Sequence, residues 1–173
     1  MRWLATRDGV RIARLEPSPQ AEAAAVLERF PLEQVGLFYV LRAAARLRDR
    51  QGVAGAALTE AVETLIARMA AMEGLPVAFR TRTEFEEAYR RAFEAPADWR
   101  EVPTEWFAPT PGPRFTQAIN RASSGFRNLH MVEVLSTDVL RGERVFAVVG
   151  RDHLPRQEPA LRCAIEGAGS GER

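Results

Sequence analysis

Val145-Phe146-Ala147-Val148-Val149, followed at once by Gly150-Arg151-Asp152-His153, is the most strand-like run in the chain. A short, continuous apolar stretch rich in β-branched side chains suits a strand covered on both faces, and Gly150 ends it. This predicts a buried strand over 144–149. In open α/β sheets, ligands gather beyond the carboxyl ends of strands, where this sequence sets a glycine, a carboxylate and an imidazole. Glycine allows a sharp turn and close approach, and imidazole binds metal or moves a proton near neutral pH. His153 is therefore a candidate base or metal ligand, with Asp152 as a second ligand. Hydrogen bonding within the loop is the plainer role for both.

Upstream, Gly142 closes a helix expected over Phe126 to Leu140, which Ser123-Ser124-Gly125 separates from a preceding helix over Phe115 to Ala122. Arg127, Asn128 and His130 lie at the start of the later helix, where a polar patch is able to face the same cleft as His153. A solvated helix start is the ordinary alternative. Before these helices, Ala95 to Pro113 carries Pro96, Pro103, Pro109, Pro111 and Pro113 and reads as a long loop, which Trp99, Trp106 and Phe107 are suited to pin.

Further toward the N-terminus the pattern is helical. Thr83 and Glu86 form a capping-box pattern before Phe85, Ala88, Tyr89 and Phe93. Val62, Leu65, Ile66, Met69 and Met72 recur at helical spacing after Thr59, and the methionines read as core. Leu32, Val35, Leu37, Phe38, Val40, Leu41 and Ala44 are apolar around most of a helix, which predicts a buried one. Ser18-Pro19 starts a helix running to about Phe30. Before it, Arg2 to Thr6 and Val10 to Leu15 read as extended pieces around Arg7-Asp8-Gly9, the second a strand beside 144–149. Glu16 ends that strand and is expected on a rim shared with His153, or else as a carboxylate at the start of the next helix. A short helix is expected from Pro159 to Ile165. The predicted fold is thus α/β, predominantly helical, with a small sheet and a helical insertion. Residues 1–166 form one domain, and 167–173 form a flexible tail.

Composition bounds the function. The chain has 173 residues, 46% hydrophobic and 27% charged, with a mean hydropathy of -0.22. That suits one globular core and no membrane protein. All 24 basic residues are Arg, yet 23 acidic residues leave a net charge of only +1, so no excess field attracts nucleic acid. The N-terminal residues show no apolar run long enough for a signal peptide or membrane span, and a cytoplasmic location is expected. The single cysteine, Cys163, has no internal disulfide partner and reads as a small buried hydrophobe.

The Arg127-Asn128-Leu129-His130-Met131 helix start, the Val145 to Val149 run and Gly150-Arg151-Asp152-His153-Leu154 together resemble the C-terminal half of the TraB/GumN/TIKI family, which is similar to erythromycin-esterase-like and ChaN-like proteins. Val10-Arg11-Ile12-Ala13-Arg14-Leu15-Glu16 looks like that family's Leu-Glu strand before its helical insertion. The resemblance implies a divalent-metal-dependent hydrolase or peptidase with two glycine-x-x-histidine motifs, an acidic residue and an arginine around one cleft. Here it implies His153, Arg127 and Glu16 as catalytic residues and His153 with Asp152 toward a metal. The first such motif has no counterpart, because His130 lacks the preceding glycine. The chain therefore looks like an incomplete or degenerate member, and a homodimer or a chain supplying the missing half is the expected partner. The competing expectation is a non-catalytic interaction or self-associating module.

Overall fold

The computed structural model describes residues 2–169. The regular elements are helices: α1 (Arg2–Arg7), α2 (Pro19–Leu27), α3 (Leu32–Gln51), α4 (Gly55–Ala70), α5 (Arg82–Ala92), α6 (Phe115–Leu140) and α7 (Leu154–Gly169), with 3-10 turns at Trp99–Glu101 and Thr104–Phe107. Among the described residues there is no strand. They divide into two compact units: Pro19–Ser124, and the chain before Pro19 together with the chain from Gly125 on.

The Pro19–Ser124 unit is built around α3. Val35, Leu37, Phe38, Val40, Leu41, Ala44 and Ala45 are all buried, covering most of the helix circumference, so α3 packs against α2, α4, α5 and both 3-10 turns. Gly52, at φ 68°, ends the helix in the left-handed region; its N–H donates to the Arg48 carbonyl, and that of Val53 to the Leu47 carbonyl. At Gly36 the helix meets residues 78 and 79 so closely that a Cβ there would overlap Ala78 Cβ and lie 2.8 Å from Phe79 Cε2. Helix α5 is capped by Thr81, whose Oγ1 accepts from the Glu84 N–H at 3.2 Å, while the Glu84 carboxylate accepts from the Arg80 N–H at 2.7 Å. The box therefore lies two residues ahead of the Thr83/Glu86 pair that the spacing suggested.

The proline-rich loop is pinned as its aromatic residues suggest. Trp99, Trp106 and Phe107 are buried in the same core as Phe38 and Phe85. Arg48 donates to the carbonyls of Arg100 and Val102, the latter at 3.0 Å, and Thr116 Oγ1 donates to the Trp106 carbonyl at 2.6 Å. These bonds satisfy carbonyl groups that the irregular backbone leaves without helical partners.

The second unit departs from expectation. The predicted buried strand over 144–149 does not form: the segment has no regular structure, with Val145 40%, Phe146 83% and Val148 65% exposed. Val10 to Leu15 is irregular and largely exposed, so no small sheet forms. An apolar β-branched run signals a demand for burial, whereas a sheet needs a second backbone to accept its hydrogen bonds. Val10 to Leu15 does not supply one. It is tied to α6 instead, by Arg11 to Asp138 at 3.1 Å and by Glu16 to Arg127.

Other boundaries also move. Arg2 to Thr6 lies in α1 and is not extended. Ser123-Ser124-Gly125 does not break the chain, and α6 runs through it. Small and polar residues lower helix propensity by less than a neighbouring turn of packed helix contributes. Helix α4 starts at Gly55, ahead of Thr59, and α7 starts at Leu154 with Pro159 inside it. Gly167 to Gly169 complete α7, and the remainder of the predicted tail lies outside the described residues. Cys163 is exposed, because the helix turns its Sγ outward.

Candidate functional site

In the second unit, the turn Gly150 to His153 is closed by the His153 N–H on the Gly150 carbonyl at 2.9 Å. The His153 carbonyl then accepts from Arg156 and Gln157, so His153 stands at the start of α7. A Cβ at Gly150 would lie 3.4 Å from His153 Cδ2, so Gly150 stands within van der Waals reach of the imidazole edge.

Helix α6 supplies the other side. His153 Nδ1 lies 2.7 Å from Asn128 Oδ1, and Gln157 Nε2 donates to that same oxygen at 3.0 Å. An amide oxygen only accepts, so in the neutral imidazole the contact favours the tautomer with the proton on Nδ1 and the lone pair on Nε2. Gln157 is buried and also reaches Met131 Sδ at 3.0 Å, which fixes the amide that orients Asn128. Asn128 and Met131 are three residues apart on α6, and His153 and Gln157 four apart at the start of α7, so each pair presents one helical face.

One residue before Asn128, Arg127 makes a two-pronged pair with Glu16: Nε to Oε2 at 2.7 Å and Nη2 to Oε1 at 2.5 Å. The Arg127 hydrogen bond holds the Glu16 carboxyl below its ordinary 4.5, against the opposing effect of burial, with smaller contributions from charge on Arg127, His153 and Arg14. Glu16 is therefore a carboxylate at neutral pH. It suits positioning Arg127 better than donating a proton.

Of the residues singled out in the sequence, the structure thus joins Glu16 to Arg127 and His153 to Asn128, the two α6 residues being adjacent. Asp152 is not brought in. Its side chain is 91% exposed and faces Arg151 at 3.6 Å, so the turn that presents His153 sends the preceding carboxylate outward. The structure therefore does not bring the two residues of the expected His153–Asp152 metal pair together through a side-chain contact. Among the described residues no group of three or more His, Cys, Asp or Glu side chains stands together to hold a metal ion, and tight sites need three or four such ligands. The described residues do not by themselves supply such a ligand set. Gln157 is the member that sequence reading missed, although its position four residues after His153 on a helix was the available signal.

The Pro19–Ser124 unit has its own polar cluster. Glu22 accepts from Tyr39 Oη at 2.9 Å and from the buried Ser123 Oγ at 2.6 Å. Burial, foremost, and the Glu22 charge push the Tyr39 phenol up, so it stays protonated. A groove of about 620 Å³ runs between α3 and α4, lined by Arg46, Leu47, Glu60, Leu65 and Arg68 among others. No described helix is long and apolar enough to cross a membrane. Comparison with family models, characterised proteins and solved structures gives no match.

Proposed function

We propose that the chain carries part of a hydrolase-type centre in which His153 is the general base. The observation that carries this reading is the His153–Asn128 hydrogen bond at 2.7 Å, which leaves Nε2 as the basic nitrogen. A base oriented by a third group through its other ring nitrogen is the arrangement that activates water or a hydroxyl for attack on a carbonyl. Nε2 takes the proton of the attacking water. Arg127, set by Glu16 on the neighbouring α6 position, supplies positive charge near the oxyanion that forms. The TraB/GumN/TIKI-like pattern of Arg127-Asn128 and Gly150-x-x-His153 supports the same class, with an ester or peptide as substrate.

A divalent ion in this centre requires ligands from another chain, because His153 is the only described imidazole joined to the network. That partner is a chain bearing the missing glycine-x-x-histidine motif. Cytoplasmic location belongs to the same reading and is supported by a lone cysteine with no disulfide partner.

The test is hydrolysis of chromogenic esters and short peptides, with and without manganese, cobalt or zinc, by the chain alone and in its assembled form. His153→Ala is expected to lower turnover by about 10² or more. Asn128→Ala lowers it less and shifts the pH profile, since it frees the imidazole without removing it. Hydrolysis untouched by His153→Ala would overturn the assignment, as would inactivity in every assembly.

A further inference from the structure

Residues 144–149 form a segment that is neither helix nor strand, and its backbone N–H and C=O groups make no backbone hydrogen bond with any described residue. Its side chains are Arg, Val, Phe, Ala, Val and Val, a composition that suits a strand. Phe146 and Val148 are largely exposed. An exposed apolar strand with open hydrogen-bonding groups templates a further strand. The flanking charges specify which one. Glu143 precedes the segment, Arg151 follows it, and both are exposed.

We propose that this segment pairs antiparallel with the same segment of a second copy, about a two-fold axis at Ala147. In that register Val145 faces the partner's Val149, Phe146 faces the partner's Val148, and Glu143 faces the partner's Arg151. By symmetry each of these pairs occurs twice. Aromatic with β-branched and acid with base are the cross-strand pairs that stabilise antiparallel ladders, whereas like charges opposite one another disfavour them.

The alternatives are poorer for stated reasons. A slip of one residue sets Arg144 opposite Arg151 and Glu143 opposite Asp152, or else leaves Glu143 and Arg151 each opposite a glycine. A slip of two in one direction gains Arg144 opposite Asp152 but leaves Phe146 opposite Gly150 and Val145 opposite Arg151; in the other direction it leaves Glu143 and Arg144 opposite valines. Parallel pairing aligns each charge close to its own copy. A closed two-fold contact also answers the exposed edge without generating a fibre at that edge. The pairing is independent of any chemistry at His153.

Two measurements on the full chain test it. The first is disulfide trapping in a Cys163→Ser background. Cα atoms of directly opposed residues stand about 4.5–5.5 Å apart, within the reach of a disulfide. Ala147→Cys is expected to give covalent dimer on mild oxidation, and Val148→Cys little, because position 148 faces 146. Equal trapping at both positions, or none at 147, would overturn the register. The second is sedimentation across a wide concentration range. Arg151→Glu is expected to weaken dimerisation about tenfold, and adding Glu143→Arg to restore it. A chain monomeric at every concentration, or an Arg151→Glu variant that dimerises like the parent, would overturn the proposal. These substitutions fall on exposed positions, and an unchanged helical circular-dichroism signal shows that each variant is folded.

Discussion

The two units of this protein are held together in different ways. In Pro19–Ser124, α3 is wrapped by other elements, and a continuous cluster from Val26 to Ile119 is buried, including Phe38, Phe85, Tyr89, Trp99 and Trp106. In the other unit Met131 is the buried large hydrophobic side chain among the described residues, and Gln157 is buried beside it. There the elements are tied by polar contacts: Arg11 to Asp138, Arg127 to Glu16, and Asn128 to both His153 and Gln157. Apolar burial is non-directional and large, whereas these contacts are directional and modest in net value. The first arrangement supplies stability. The second orients side chains, which is what a candidate chemical site requires.

The widest separation between the units is expected from core truncation. Phe38→Ala removes a fully buried ring that contacts Tyr39 and Phe107 and is expected to cost about 3–5 kcal/mol. Met131→Ala is expected to cost about 2 kcal/mol, at the low end for such a deletion, because few other large apolar side chains of its unit are buried with it. Urea denaturation followed by circular dichroism measures both. Equal losses would erase the contrast.

Glycines sharpen it on a smaller scale and with opposite sign. Gly36→Ala forces a methyl group into Ala78 and Phe79, and a loss of about 1–2 kcal/mol is expected even after the gain in helix propensity. Gly125 lies inside α6 with nothing within 4 Å of a Cβ placed there, so Gly125→Ala is expected to stabilise by about 0.5–1 kcal/mol. A stabilising Gly36→Ala, read in the same denaturation experiment, would mean that residues 76–79 give way easily.

The smallest expected effect is at the Glu16–Arg127 pair. Glu16 is 41% exposed on its side chain, so solvent screens the pair, and a double-mutant cycle with Glu16→Gln and Arg127→Gln is expected to give about 1 kcal/mol or less. The sign of its pH dependence follows from the lowered carboxyl. The folded state holds the proton less tightly than the unfolded chain, so the stabilisation is full above the ordinary value of 4.5 and is lost as pH falls through the lower folded value. Glu16→Gln should flatten that part of the acid limb. An acid limb identical in both proteins would show that the pair contributes nothing measurable.

Helices were legible wherever their periodicity was strong. Leu32 to Ala44 announces α3 by being apolar all round, and Val62, Ile66 and Phe85 fall on buried faces as their spacing suggests. The polar network was legible in part, since His153 is one of only two histidines and follows a turn, and Arg127 and Glu16 lie where a helix start and a segment end were expected. Their pairing was not. From the sequence Glu16 belongs either on a sheet rim or at the start of the next helix; in the structure it pairs with Arg127 of α6, a relation between segments far apart in sequence.

By itself the sequence determined which segments are apolar, which strongly periodic ones are helical and which few residues are suited to proton transfer, because each of those depends on local composition and period. Tertiary structure decided the rest. Whether Val145 to Val149 becomes a strand depends on a second backbone being alongside, and no described segment of this chain provides one. What stands beside His153 is likewise set by segments far apart in sequence: Asn128 lies against its Nδ1, Gln157 bonds to that same Asn128 oxygen, and Asp152 points away. Hydrogen bonds and strand pairs are formed between two partners, and one strand of sequence specifies only its own half.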